Sequence, residues 1–385
     1  MLVQLSLFAL AGRALAQNVP TLAEALSSSP ELSTLGSVLQ LNPSLVAALS
    51  NATDITILAP SNAAFAALGN ATLAALAADV ELVSAILQYH VLNGTVPSSA
   101  ITEDAAFVPS LLTDEAYTGV TGGQRVKAQV VDDGVVITSG LLDTSNVIQA
   151  DVNFTGGVIH VIDRVLTLPV SASDTLSAAG LTSLRGALVA ANLVETVESL
   201  QNVTIFAPTN EAFQAIGSAL GSLTSEQVVS VLTYHAVVAE APGYSSDLAN
   251  GTVLKSVNGA ELTITIIDGG VFVNGARVVT PDVLIANGVV HVIDAVLNPN
   301  NATIANPSAT AGVPAYSGAS SVSQAPFTSG QPTPSRSVGG AAPTASGSPS
   351  PSAPLEVSTA GAVPAVQTGA VGMGALLGAA AVYFM

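Results

Sequence analysis

Cysteine and tryptophan are both absent from the 385 residues, and lysine and arginine together number only eight. Without cysteine there is no disulfide, no thiolate nucleophile and no thiolate metal ligand. Each folded unit must be held by its apolar core alone, which domains of ~140 residues can manage. Without tryptophan, and with only six tyrosines and nine phenylalanines, aromatic platforms for stacking sugars are scarce. Eight cations against 26 acidic residues give a net charge of −18. No basic patch can be assembled for nucleic acid, and an anionic membrane surface repels such a chain. Cationic partners and neutral glycans remain open. The G-x-S-x-G elbow of serine hydrolases and the H-E-x-x-H zinc signature are missing, as is the Arg-Gly-Asp tripeptide.

What is present is present twice, and the four histidines mark it. Thr56-Ile57-Leu58-Ala59-Pro60-Ser61-Asn62-Ala63-Ala64-Phe65 recurs as Thr204-Ile205-Phe206-Ala207-Pro208-Thr209-Asn210-Glu211-Ala212-Phe213. Tyr89-His90 recurs as Tyr234-His235. Gly157-Val158-Ile159-His160-Val161-Ile162-Asp163 recurs as Gly288-Val289-Val290-His291-Val292-Ile293-Asp294. The copies are offset by 148, 145 and 131 residues at the three motifs, so copy one carries fourteen extra residues between its second and third motifs. Solenoid repeats run only ~20–50 residues, and a period this long implies two independent domains.

Patterning within each copy predicts helices first and strands last, an α+β order. Apolar spacing predicts helices at Leu22–Ala25, Leu45–Leu49, Asn62–Leu68 and Leu82–Leu87. Asn42 reads as a cap, Pro43 as the first helical residue, and Ser61 or Asn62 as a second cap. Copy two predicts helices at Leu184–Leu193, Asn210–Ile216 and Gln227–Leu232. Asp54–Ala59 and Val203–Ala207 read as buried strands ended by Pro60 and Pro208. Asp132-Asp133-Gly134 and Asp268-Gly269-Gly270 each sit between two apolar runs, a hairpin signal.

Three motifs in this order resemble the fasciclin (FAS1, beta-Ig-H3) domain, over residues 18–299. The resemblance implies two tandem FAS1-like domains, each a β-wedge or sandwich with packed helices. It also implies adhesion or matrix work at a cell surface and no catalysis, and it associates the Tyr-His region with receptor contact.

The termini suggest export and tethering. Residues 1–16, with an apolar Leu2–Leu10 stretch and the Ala14-Leu15-Ala16 site, read as a signal peptide cut before Gln17. Domain one is placed at 17–168 and domain two at 169–299. Residues 300–358, dominated by Ser, Thr, Pro, Gly and Ala, read as a disordered, O-glycosylated stalk, with 306–360 irregular and exposed. A small-residue triplet at Ser358-Thr359-Ala360, a spacer and a terminal apolar tail over 369–385 make the pattern of a glycolipid (GPI) anchor signal, with attachment near Ser358 and residues 359–385 as the removed signal. Seven sequons, at Asn51, Asn70, Asn93, Asn153, Asn202, Asn250 and Asn301, make this a glycoprotein. Asn51 and Asn202 are read as equivalent positions before the repeated strand. The Ser/Pro stretch, low charge and anchor signal together have a fungal style.

The histidines are the remaining candidates for chemistry. His160 and Asp163 lie three apart on a strand and leave opposite faces, as do His291 and Asp294; neither pair forms a local dyad. Tyr89, His90, Tyr234 and His235 admit two readings, a buried corner fixing helix to strand or a receptor contact, and the apolar Leu87 and Val91 favour the first. His160 and His291 lie in continuous apolar runs and read as structural. No catalytic residue, metal or cofactor is expected. The chain reads as a surface glycoprotein for adhesion or for organising matrix or wall, anchored to the membrane by glycolipid alone and meeting surface proteins or glycans. The alternative is a surface module binding a lipid or glycan.

Overall fold

The computed structural model describes residues 19–302, 311–313 and 315–334; the signal peptide, the anchor signal and Ser358 lie outside the described residues. Domain one opens with three helices, α1 (Leu22–Ser28), α2 (Ser33–Leu39) and α3 (Pro43–Asn51). Local chemistry starts each one. Thr21 and Glu24 form a capping box on α1, and the Asn42 side chain accepts Leu45 N–H at 3.1 Å ahead of Pro43. Strand β1 (Ile55–Pro60) follows, then α4 (Asn62–Leu68), α5 (Asn70–Ala78) and α6 (Val80–Tyr89). Ser61 caps α4 by accepting Ala64 N–H at 3.2 Å. Asn62 is therefore the first helical residue, and its side chain serves elsewhere. It accepts Thr34 N–H at 2.8 Å and donates to the Pro30 carbonyl at 3.0 Å, tying α4 to the entry of α2.

The remaining strands are β2 (Val91–Asn93), β3 (Ala106–Pro109), β4 (Arg125–Val131), β5 (Gly134–Thr138), β6 (Thr144–Phe154) and β7 (Gly157–Ile162). They form one sheet in the order β2-β1-β7-β6-β5-β4-β3. Its two edges meet through a Leu92–Ser110 bridge and the Leu111 N–H to Val91 carbonyl bond, so the sheet curls into a flattened barrel. β1 breaks the helices-first order: it lies between α3 and α4 and pairs in parallel with the last strand, β7. Every residue of β1 is buried because both faces are covered. Ile55, Ile57 and Ala59 face the helices, while Leu58 joins Tyr89, Leu92, Val126, Ile137 and Ile162 inside the barrel. The Gly opening the third motif has a steric cause. A Cβ at Gly157 or Gly288 would overlap the carbonyl oxygen of Ile55 or Val203 on the parallel neighbour.

Domain two repeats the plan with α7 (Ala172–Ala178), α8 (Thr182–Ala190), α9 (Val194–Ser199), β8 (Val203–Pro208), α10 (Asn210–Ala215), α11 (Gly217–Leu220) and α12 (Ser225–Tyr234). Strands β9 (Ala236–Val238), β10 (Val253–Lys255), β11 (Glu261–Ile267), β12 (Gly270–Val273), β13 (Ala276–Ile285) and β14 (Gly288–Ile293) give the equivalent order β10-β11-β12-β13-β14-β8-β9. The expected hairpins are β4–β5 and β11–β12. Their two-residue loops, Asp132-Asp133 and Asp268-Gly269, all have positive φ, as a type I′ turn requires.

Most of the extra length of copy one has a location and a use. The β3–β4 connection spans 110–124, fifteen residues, against five at 256–260 in the β10–β11 connection. The longer loop docks onto domain two. Gly119 N–H donates to the Ala286 carbonyl at 2.9 Å, and Gln124 Nε2 reaches the Ile285 and Ala286 carbonyls at 3.1 and 3.2 Å. Beside it Phe107 stacks on Tyr244 with centroids 4.3 Å apart, and Lys127 lies 4.0 Å from the buried Asp282.

The described part of the Ser/Pro-rich stretch has no regular secondary structure, in keeping with its composition. Exposure is another matter: Tyr316, Ala319 and Phe327 pack against the core of domain two. No single helix among the described residues is long and apolar enough to cross a membrane.

Candidate functional site

The two Tyr-His pairs occupy the C-terminal ends of α6 and α12, where the helix turns into the short strand β2 or β9. All four side chains are buried, none more than 3 % exposed. Tyr89 points into the barrel and donates its hydroxyl to the Arg125 carbonyl at 2.9 Å; Tyr234 does the same to the Glu261 carbonyl at 2.8 Å. Burial raises both phenol pKa values. His90 Nδ1 lies 2.7 Å from the Ile86 carbonyl, and its Nε2 accepts Leu166 N–H at 2.9 Å. His235 repeats this with the Val231 carbonyl at 2.7 Å and Leu297 N–H at 2.9 Å.

These partners assign the tautomer. Nδ1 carries the proton, because it faces an acceptor, and Nε2 is the bare nitrogen. Each ring thereby satisfies a carbonyl in the last helical turn and a backbone N–H in the segment leaving the last strand. The corner binds helix layer to barrel through three separate chain segments. Burial pushes both imidazoles down to about 4, against the bond to the helix carbonyl, which acts in the opposite direction. Both ring nitrogens are engaged, so neither is placed to take a substrate proton or a metal.

His160 and His291 sit on β7 and β14 with their rings on the barrel side. His160 Nε2 faces the Val96 carbonyl at 2.8 Å, and Nδ1 accepts Asp151 N–H at 3.3 Å. His291 has the Gly243 carbonyl at 2.8 Å and Asp282 N–H at 3.3 Å. Burial lowers the His291 pKa, with the Asp282 charge opposing. The acidic neighbours are thus Asp151 and Asp282 on the adjacent strands, and not the motif residues. Asp163 instead binds Asn146 at 2.7 Å.

Asp151 and Asp282 each occupy an irregularity in strand pairing and have φ of 58° and 64°. Their carboxylates accept from the backbone and hydroxyl of Ser98 and Ser245 respectively. Serine, aspartate and histidine therefore meet in each domain, but the serine hydroxyl donates to the carboxylate and the imidazole is tied to backbone at both nitrogens. The chemistry available is clasping of a bulged strand. Sequence spacing could not show this, because both carboxylates come from strands without a recognised motif.

The sequons fall into distinct settings. Asn51, Asn93, Asn153 and Asn250 are exposed, Asn301 is half-buried, and Asn70 is the first residue of α5. Asn202 is 6 % exposed. Its Nδ2 donates to Thr121 Oγ1 at 2.8 Å and the Glu240 carbonyl at 3.0 Å, while its Oδ1 accepts Thr121 N–H at 2.8 Å. An amide nitrogen so enclosed has no room for a glycan while the domains are docked. The supposed equivalence of Asn51 and Asn202 also fails. β1 starts at Ile55 and β8 at Val203, so Asn202 corresponds to Asp54, with which it shares a left-handed backbone (φ 52° and 61°). Asn51 is the last residue of α3.

Comparisons with known proteins agree with this architecture. The fasciclin domain family matches residues 30–169 and 179–299. A fasciclin-like arabinogalactan protein of Arthroderma benhamiae is 38% identical over 315 residues, covering 81% of this chain and 74% of that protein. A second protein of that name, from Phaeosphaeria nodorum, is 34% identical over 278 residues, covering 72% and 88%. Transforming growth factor-beta-induced protein ig-h3 of Sus scrofa is 30% identical over 275 residues, 64% of this chain and 35% of that protein. Among solved structures, a FAS1 domain pair from the insect cell adhesion molecule fasciclin I aligns with a TM-score of 0.34 and 20% identity, over 69% of this chain and 96% of that one. With two matched regions, the same three motifs in each and one sheet order in both, this chain belongs to the fasciclin domain family and carries two of its domains in tandem.

Proposed function

We propose that the chain is a cell-surface glycoprotein whose FAS1 domain pair mediates adhesion or organises the surrounding matrix or wall. The observation that carries this reading is the duplicated fold itself, two docked fasciclin domains whose Tyr-His pairs and motif histidines are all committed to the interior. Recognition then falls to the outer shell of the domains, where sequons and acidic side chains lie. The name these relatives carry, arabinogalactan protein, is that of a carbohydrate-bearing protein, in keeping with seven sequons in this chain. In this reading the chain is no enzyme and needs no cofactor. A tether through the C-terminal glycolipid signal would hold many copies on one surface and convert weak contacts into avidity. The test is attachment of cells to beads coated with the full chain at graded density. The reading expects attachment to rise more steeply than coating density; no attachment at any density would sink it.

A second reading has one observation behind it. α1, α2 and α3 enclose an open crevice of about 380 Å³ lined by Leu22, Leu26, Leu32, Leu39, Val46 and Leu49, with serines at its rim. Its size and apolar lining suit a small lipid chain. Displacement of an environment-sensitive fluorescent fatty acid, abolished by Leu26→Gln, would favour this module over adhesion.

A further inference from the structure

Residues 311–313 and 315–334 form a strap across domain two. Val313 N–H donates to the Gly275 carbonyl at 2.6 Å, and the Ala315 carbonyl accepts Asn301 Nδ2 at 2.9 Å. Farther along, Ser320 N–H donates to Ser218 Oγ at 2.7 Å, and Val322 N–H to the Gln214 carbonyl at 3.0 Å. Phe327 meets Phe213 edge-on at 6.4 Å, and Gln331 accepts from Arg185 at 2.6 Å. The surface beneath is shaped for this segment. A Cβ at Gly186 would overlap the Phe327 backbone, and one at Gly217 would overlap Val322.

Domain one offers no such seat. Asn62 and Asn210 bond the amides of Thr34 and Ser183 in the same way, which makes those residues equivalent and puts Ser37 in the place of Gly186. Where Phe327 lies against Phe213, domain one has an empty cavity of about 60 Å³ beside Phe65, Leu35 and Val38. Among the described residues each chain thus has one strap and one seat.

We propose that the seat on domain two is an interaction surface for the strap of a second copy of this chain, exchanged reciprocally. Three features carry it. The strap has no secondary structure of its own, so lifting it breaks no helix or sheet. Its bonds to the folded body are to domain two, and a partner's seat can remake them, so the exchanged pair gains on the closed monomer as concentration rises. The fit is also imperfect: Tyr316 Oη and Arg185 Nε are buried without a hydrogen-bond partner among the described residues, which lowers the cost of opening. Reciprocal exchange, each strap filling the other chain's seat, closes the pair into a symmetric dimer.

The absence of cysteine makes the test clean. S218C and S320C place one thiol on the seat and one on the strap. In the full chain carrying both, oxidation in dilute solution should close the bond within one molecule. An oxidised equal mixture of the two single variants at high concentration should give a covalent dimer. Adding Gly186→Val to the S218C chain should cut that dimer at least tenfold. A mixture that stays monomeric overturns the proposal, as does a dimer indifferent to Gly186→Val, or a double variant that fails to close. The proposal stands apart from the adhesive reading, since a dimer without cell attachment would leave it intact.

Discussion

At the residue scale the account turns on imidazoles kept neutral by burial. His90 and His235 have folded pKa values near 4 against an ordinary 6.5. The unfolded chain binds more protons between those values, so stability is fully present above pH ~6.5 and is lost as pH falls toward 4. At ~1.4 kcal/mol per pKa unit the two rings together account for several kcal/mol. Denaturant unfolding at pH 7 and pH 4.5 should show this loss, and His90→Gln with His235→Gln should flatten the slope. Glu24 and Asp151, whose pKa values are lowered by their Thr21 and Ser98 hydrogen bonds, begin to lose their contribution only below the ordinary carboxylate values. Asn202 supplies a second residue-level test. Mass spectrometry of Asn202→Gln should show no glycan lost, whereas Asn93→Gln and Asn250→Gln should each remove one.

Among the elements, the inserted β3–β4 loop contributes hydrogen bonds that join the two domains. Gln124→Ala removes two hydrogen bonds to domain two, and Phe107→Ala removes the ring stacked on Tyr244. Together they should speed amide exchange at Gly119, Thr121 and Ala286 while leaving β1 and β7 unchanged; unaltered exchange would mean the loop does not hold the interface. The motifs made the duplication, the β1 and β8 strands, the hairpins and the Asn42 cap legible in sequence, and narrowed the α4 cap to Ser61 or Asn62, because period, turn chemistry and capping are local properties. The docking was not legible. Fourteen extra residues could be counted, but their acceptors, the carbonyls of Ile285 and Ala286, are backbone atoms with no side-chain signature. The strap was hidden for a related reason. Its composition describes a disordered stretch, and only glycines 186 and 217 on another part of the chain reveal where it lies. The long strands β6 and β13 escaped because their bulges at Asp151 and Asp282 interrupt the alternation of apolar residues.

For the whole molecule, two barrels docked through the β3–β4 loop present an acidic outer surface, while the Tyr-His pairs and the motif histidines face inward. Under the proposed adhesive function, the Tyr-His region is expected to act by keeping the fold and not by touching a receptor. His235→Ala leaves the Val231 carbonyl and Leu297 N–H buried without partners, a cost of about 1–3 kcal/mol. The decisive measurement is cell attachment to beads bearing the wild-type or His235→Ala chain, alongside the melting curve of each. The account predicts a lowered melting temperature and attachment that falls only in proportion to the folded fraction. An unchanged melting curve with attachment lost would contradict it.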